Sequence, residues 1–568
     1  MHRFSRRLLI GLGLLLLLLS IIGLIAWELL SSTFEARYLT KTAQKMTWRV
    51  EPGPSERIRF PDKGPYDIRL GYSKLPGYTE RLKTFGWHID EQAKISVPMA
   101  RVAELGLFLP YREKDQGGIR LLDSAGKPLY EYKSPARIYA RFEDIPAVLV
   151  QSLLYIENRE LLRDDYPTRN PAVEWDRLGQ AVLEKAVSLV DRGRNVPGGS
   201  TLPTQIEKYR HSPNGMTRGM VDKLQQMGTA SLRAYQDGMD TRPARRRMVL
   251  AYLNTVPLAA APRFGEVNGV GDGLWAWYGL DFAQVNRVLS NPPSANDTAE
   301  QQKAYASALK HVLSLIVAER RPSYYLAANR KALDAYTDDH LDLLAAAGLI
   351  SPALRDTAKK ISLRPASSRV DPVPPRFVEQ KAANALRIHV AALLGESRLY
   401  DVDRLDLQVT TTLNQSAQKI VSQYLQSLVT PEAVAAAGLY GKRLLRPDND
   451  LTKVIYSFTL FEKSPAGMLL RVQADNLNQP FDINQQARLD LGSTAKLRTL
   501  VTYLQIIAEL HGELNALDKT ALLKQAQPQR DVLAQWVAQY LLSAPDKSLA
   551  AIMEAAMARE YSASPEVF

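Results

Sequence analysis

From Leu8 to Trp27 the chain carries no charge and scarcely a polar side chain, close to the roughly 20 residues a bilayer-spanning helix needs. That run exceeds the h-region of about 7 to 15 residues in a cleaved signal peptide, so residues 1–30 are predicted to be a short tail and a transmembrane anchor. Arg3, Arg6 and Arg7 precede the span, which places the tail in the cytoplasm and everything after it outside. Over 31–140 the pattern changes to short alternating or apolar runs between turn residues, such as Asp67 to Leu70, Ile95 to Val97 and Ile119 to Leu122. They predict a small α/β accessory domain. Over 141–360 apolar positions recur at helical spacing, in Trp175 to Val190, Met220 to Tyr235, Arg245 to Asn254 and Ala304 to Ala318, and Tyr336 to Ala358 adds two shorter helices. That is a mainly α-helical domain. Residues 361–400 read as a linker, with Pro365, Pro372, Pro374 and Pro375 followed by a helical stretch from Phe377 to Leu394. Residues 401–568 open with strand-like runs at Leu407 to Leu413, Val454 to Phe461 and Leu469 to Gln473 and turn helical from Ser493. The predicted fold class is therefore multidomain α+β.

Composition narrows the chemistry. The 568 residues contain no cysteine, which removes disulfides, thiolate nucleophiles and most structural zinc sites. Seven histidines are scattered with no ligand-like pairing, so no metal site is assigned. The net charge of +12 calls for an anionic partner, and for an anchored, outward-facing protein that means lipid headgroups, wall polymers or pyrophosphate-linked substrates. Nucleic acid does not fit that location. Arg245, Arg246 and Arg247 form the densest basic run and read as a solvated helix face.

Residues 197–208 are the most informative stretch. Gly198 and Gly199 permit a tight turn, Ser200 or Thr201 can cap a helix, and Pro203 suits its first turn. Lys208 follows on the same helix about two turns on, so the segment could present backbone N–H groups and an ammonium to a phosphate. A glycine pair ahead of a helix also serves as an ordinary loop. Upstream, Glu157 ends an apolar helical run from Val148 to Ile156. Sugar transfer with inversion requires such a carboxylate to accept the proton of the attacking hydroxyl, and a cation to hold the departing pyrophosphate.

Gly198, Gly199, Ser200, Thr201, Gln205 and Lys208 resemble the Gly-Gly-Ser-Thr-x-x-x-Gln-x-x-Lys motif of the peptidoglycan glycosyltransferases, with Thr204 in place of a second glutamine. Glu157 precedes it at the spacing of the family's first motif, where Asn158, Leu161 and Asp164 replace an aspartate, a phenylalanine and a histidine. The third motif falls on Asp222 to Gln226, keeping Lys223 but placing Gln226 where a glutamate is expected, and the fourth on Ala251-Tyr252-Leu253-Asn254. The resemblance implies a lysozyme-like glycosyltransferase domain with Glu157 as general base. It implies substrate contacts from Gly199, Ser200, Thr201, Gln205, Lys208, Lys223, Gln226 and Asn254. A divalent cation is also implied, although Gln226 cannot neutralise one. Tyr252, Trp275, Trp277 and Tyr278 are read as core aromatics.

Gly492-Ser493-Thr494-Ala495-Lys496 contains Ser-x-x-Lys, which puts a hydroxyl and an amine on one helix face. The same spacing at Ser416 and Lys419 reads as chance. With Leu407 to Leu413 and Phe481 to Lys496, the segment resembles the start of the penicillin-binding transpeptidase that class A penicillin-binding proteins join to the glycosyltransferase. By that resemblance Ser493 is the acylated nucleophile and Lys496 its activator. Neither a Ser-x-Asn nor a Lys-Thr-Gly element follows Lys496, so the transpeptidase is expected to be incomplete in this chain. Taken together, the resemblance implies a single-pass protein of the bacterial cytoplasmic membrane, its bulk periplasmic, that acts on lipid II and nascent glycan. The anchor meets membrane lipids, and residues 31–140 could dock a wall-synthesis or regulatory protein. A degenerate scaffold that binds wall precursors or synthesis partners without polymerising them is the alternative.

Overall fold

The computed structural model describes residues 2–61, 63–173, 200–294, 297–365, 377–442, 444–465, 467–479, 481–488, 490, 492–528 and 531–560. The expected helix from Trp175 to Val190, Gly198 and Gly199, and linker residues Pro372, Pro374 and Pro375 lie outside them. The chain divides into two compact units, residues 1–484 and 485–568.

The first unit starts with the helix His2–Ser31, of which Leu12–Ser31 is long and apolar enough to cross a membrane. Ser32 breaks the helix by adopting the left-handed region, at φ 51°, before the helix Thr33–Ala43. The Glu28 carboxylate accepts the Phe34 N–H at 2.9 Å and the Glu35 N–H at 2.8 Å, filling the donors that a helix start leaves open. Two further bonds tie the anchor to the helical domain: Thr168 Oγ1 donates to the Ser31 carbonyl at 2.7 Å, and Asn170 Nδ2 to Glu35 Oε1 at 2.5 Å.

In the accessory segment Trp48–Pro52 pairs antiparallel with Glu91–Ile95, while Asp67 to Leu70, grouped above with strand-like runs, falls on the short helix Pro65–Arg69. Pro65 at the helix start explains the difference. Gly118–Leu122 forms the middle of a three-stranded sheet, antiparallel to Pro128–Glu131 and parallel to Asp406–Thr410. The sheet thus joins residues that the sequence reading divides between accessory and C-terminal domains. The helix Phe377–Leu394 covers it, with Val390 and Ala391 packed on Ile119 and Leu121. Periodicity shows where a strand is and says nothing of its partner.

The helical domain is built around Ala299–Ala318, whose final turns from Leu309 to Ala318 are buried all round. Lys310 sits in that core because Asp334 and Asp338 of the helix Arg330–Ala346 hold its ammonium at 2.7 and 2.8 Å. Around it stand Ala147–Glu157, Leu202–His211, Met220–Ala234 and Arg242–Thr255. Arg245 departs from the expected solvated face. It is 2% exposed, and its guanidinium donates to the carbonyls of Arg163, Tyr166 and Arg169, so it staples a loop that has no helix of its own. Trp277 and Tyr278 are core residues, bonded to the Leu258 carbonyl and Ser314. Toward the end of the unit, Ser457–Ser464 and Gly467–Asp475 form a two-stranded hairpin with the helix Gln415–Ser427 against its second strand. Ser416 and Lys419 are exposed on that helix.

The second unit is helical: Ala495–Leu514, Lys519–Gln525, Val532–Ser543 and Leu549–Met557 enclose a core of Ile507, Val537, Leu541 and Ile552.

Candidate active site

Glu157 is the last residue of an apolar helix and is half-buried. Its Oε2 accepts from Gln205 Nε2 at 2.8 Å, and the Gln205 Oε1 accepts from the Tyr252 hydroxyl at 3.5 Å. Side chains of three helices are thus linked in one chain of hydrogen bonds that ends on the Glu157 carboxylate. Nine of the ten residues of Leu202–His211 are buried and the exception is Lys208, whose Nζ lies 3.9 Å from Glu319 Oε1. Lys223 reaches the same place from Met220–Ala234 and donates to Ser200 Oγ at 2.7 Å. Burial, reinforced by the Lys208 charge, lowers the Lys223 pKa to about 8. The site thus holds a carboxylate fixed by an amide beside two ammonium groups that repel each other. An anion placed between those ammoniums would relieve the repulsion.

The start of the Leu202–His211 helix differs from the expected open anion mouth. Its Leu202 N–H donates to Asn158 Oδ1 at 3.1 Å, Pro203 has no N–H, and the first two turns are buried. The Thr201 N–H is taken by Thr204 Oγ1 at 3.0 Å, while Thr201 Oγ1 donates to the Ala172 carbonyl at 3.2 Å. Anion binding here would rest on the two lysines. Gln226 is 1% exposed and bonded to Ser212 and Thr217, at 2.9 Å from its Nε2 to each. Asn254 is also buried; its amide accepts the Tyr139 N–H at 2.8 Å and donates to Asp115 and the Tyr139 carbonyl. Neither amide joins the bonds around Glu157. Gly199 lies outside the described residues. Among the described residues no group of three His, Asp or Glu side chains is placed to hold a metal, and with Gln226 satisfied by hydroxyls the geometry does not fit a divalent cation at that motif.

Two residues at the site were passed over in the sequence. Tyr252, read as core, is 1% exposed but turns its hydroxyl to Gln205. Glu319 immediately follows the buried end of Ala299–Ala318 and is largely buried itself. Burial raises its pKa, the Lys208 charge opposes, and Glu157 raises it further. The signal was available: an acid closing an apolar helix, the same pattern that singles out Glu157. A carboxylate there faces the negative end of the helix dipole, an unfavourable place unless a cation or a function holds it.

In the second unit Ser493 lies in the turn Gly492–Thr494 and Lys496 in the first turn of Ala495–Leu514; both are exposed. Among the described residues no hydrogen bond joins the two side chains.

Residues 125–333 match the family model described as Transglycosylase. That segment, which contains Glu157, Gln205, Lys208, Lys223, Tyr252 and Glu319, is a transglycosylase-family domain and supports a glycosyltransferase role. The crystal structure of penicillin-binding protein 1A from Haemophilus influenzae is similar over 65% of this chain and 40% of that one, with 12% identity and a TM-score of 0.23. The chain thus spans less than half of that relative's length. No curated protein matches it.

Proposed function

We propose that this protein polymerises lipid II into glycan strands at the outer face of a bacterial cytoplasmic membrane, held there by Leu12–Ser31. The observation that carries the reading is the Glu157 carboxylate, fixed by Gln205 of the helix that also carries Lys208, with Lys223 close enough for the two ammoniums to repel. In the reaction an acceptor hydroxyl attacks the anomeric carbon of the donor sugar. The bond from that carbon to the pyrophosphate oxygen breaks, its electron pair leaves with the pyrophosphate, and the hydroxyl proton passes to Glu157. Lys208 and Lys223 neutralise the charge that develops on the leaving group. Glu319 holds Lys208 in place, and Tyr252 holds Gln205, so both position the groups that touch substrate.

Ser493 and Lys496 would supply nucleophile and activator only within a complete transpeptidase domain, and residues 31–140 a surface for a synthesis partner. The decisive experiment is polymerisation of lipid-linked disaccharide by the full chain in detergent, followed on gels. Glu157→Gln keeps the shape and the Gln205 contact, and should slow the reaction by about 10²–10⁴-fold. Equal product from both proteins would refute Glu157 as base, and no product from either would favour the non-polymerising scaffold.

A further inference from the structure

A second cavity, of about 530 Å³, lies in the first unit where the accessory segment, the helical domain and the short helix Leu399–Arg404 meet. Its charged lining is mainly basic, with Lys63, Arg69, Lys74, Arg398 and Arg404 against Glu266 and Asp401. Two of these cations are compensated: Lys74 pairs with Glu396 and Arg398 with Asp401, each at 2.8 Å. Arg69 and Arg404 are not. Among the described residues neither forms an ion pair, and the Nε of each is buried without a hydrogen-bond partner. Arg404 is only 4% exposed, its guanidinium 3.5 Å from the centre of the Tyr400 ring and bonded weakly to the Tyr400 carbonyl at 3.3 Å.

Burial presses the Arg69 pKa below its usual range; Glu266 opposes, and the charges of Arg210 and Arg404 add to the depression. A half-buried and a buried guanidinium that repel each other beside one cavity are an unfavourable arrangement unless an anion completes it. Where a guanidinium lines the cavity, its terminal N–H groups suit the oxygens of a phosphoryl group. The cavity is far larger than an ion needs, and Ile68, Pro257, Val267 and Leu405 give it apolar wall beside the Tyr400 ring. We infer that this cavity is a binding site for a small organophosphate, its phosphoryl group held between Arg69 and Arg404 and its body against the apolar wall. Because three segments distant in sequence line it, an occupied site would also fasten them together.

Calorimetric titration of the full chain in detergent with inorganic phosphate and with glycerol 3-phosphate tests this. The ester should bind once per chain and at least tenfold more tightly than inorganic phosphate, and should raise the unfolding temperature by about 2 °C or more at saturation. Arg69→Gln and Arg404→Gln should each abolish binding. Ile68→Glu should weaken it by charge at a position 46% exposed, where folding is not at stake. Lys223→Met, in the other site, should leave it unchanged. Equal affinity for the two probes would mean that the apolar wall takes no part and would overturn the organophosphate assignment. No binding, or binding insensitive to Arg69→Gln, Arg404→Gln and Ile68→Glu alike, would overturn the site itself.

Discussion

Lys223 offers the most direct test of the pyrophosphate assignment. Burial and the neighbouring Lys208 bring its pKa to about 8, so the free enzyme carries this charge on about nine-tenths of molecules at pH 7 and one-tenth at pH 9. A bound pyrophosphate would restore the ammonium by pairing with it, since a nearby opposite charge favours the charged form. Binding then takes up a proton above pH 8, and affinity should fall about tenfold between pH 7 and pH 9, equivalent to about 1.4 kcal/mol. The donor's diphosphodiester has no group that titrates in this window, so the slope belongs to the protein. The assay is kcat/KM for lipid-linked disaccharide at pH 7, 8 and 9. Lys223→Met should give a low and flat profile. Lys223→Arg stays charged throughout and should flatten the profile without lowering it as far. A slope that persists unchanged in Lys223→Met would refute the assignment of pyrophosphate to this lysine.

Two further outcomes are expected. Burial acts to lower the His211 pKa, but Glu113 and Asp67, each bonded to one ring nitrogen, outweigh it and raise the value to about 9. A raised value stabilises the fold fully below the unfolded pKa near 6.5 and loses that contribution as pH rises through 9, a span worth about 3 kcal/mol; urea unfolding of His211→Gln against wild type at pH 6 and pH 9.5 should show the gap closing. Ser493, exposed and with no hydrogen bond to Lys496 among the described residues, should remain unlabelled by a fluorescent penicillin in the full chain, and a labelled band lost in Ser493→Ala would contradict that.

Much of the helical domain was legible because amphipathic periodicity survives wherever one helix face packs on a core. The Met220 and Arg245 stretches fall on Met220–Ala234 and Arg242–Thr255 within a few residues. Pairing was not legible. Nothing in Leu407 to Leu413 announces that Asp406–Thr410 lies parallel to Gly118–Leu122, because the register is set by a helix and a sheet brought together from distant parts of the chain. Arg245 misled for a related reason. A run of three arginines looks solvated until the carbonyls of Arg163, Tyr166 and Arg169 supply the acceptors that let one of them be buried.

The altered motif positions make physical sense once charge is followed through the site. Asn158 keeps an acceptor for the Leu202 N–H without the charge of an aspartate, and Gln226 is satisfied by Ser212 and Thr217 without a cation. Both positions have become neutral hydrogen-bonding joints. A carboxylate instead enters from Glu319, beside Lys208. Burial shifts both Glu319 and Lys223 toward their neutral forms, and the Lys208 charge beside Glu319 opposes that shift for the carboxylate. In the proposed reaction a pyrophosphate beside Lys223 would hold its ammonium charged above pH 8, where the free protein loses it. Glu319 would then be the residue that keeps the Lys208 charge compensated between turnovers.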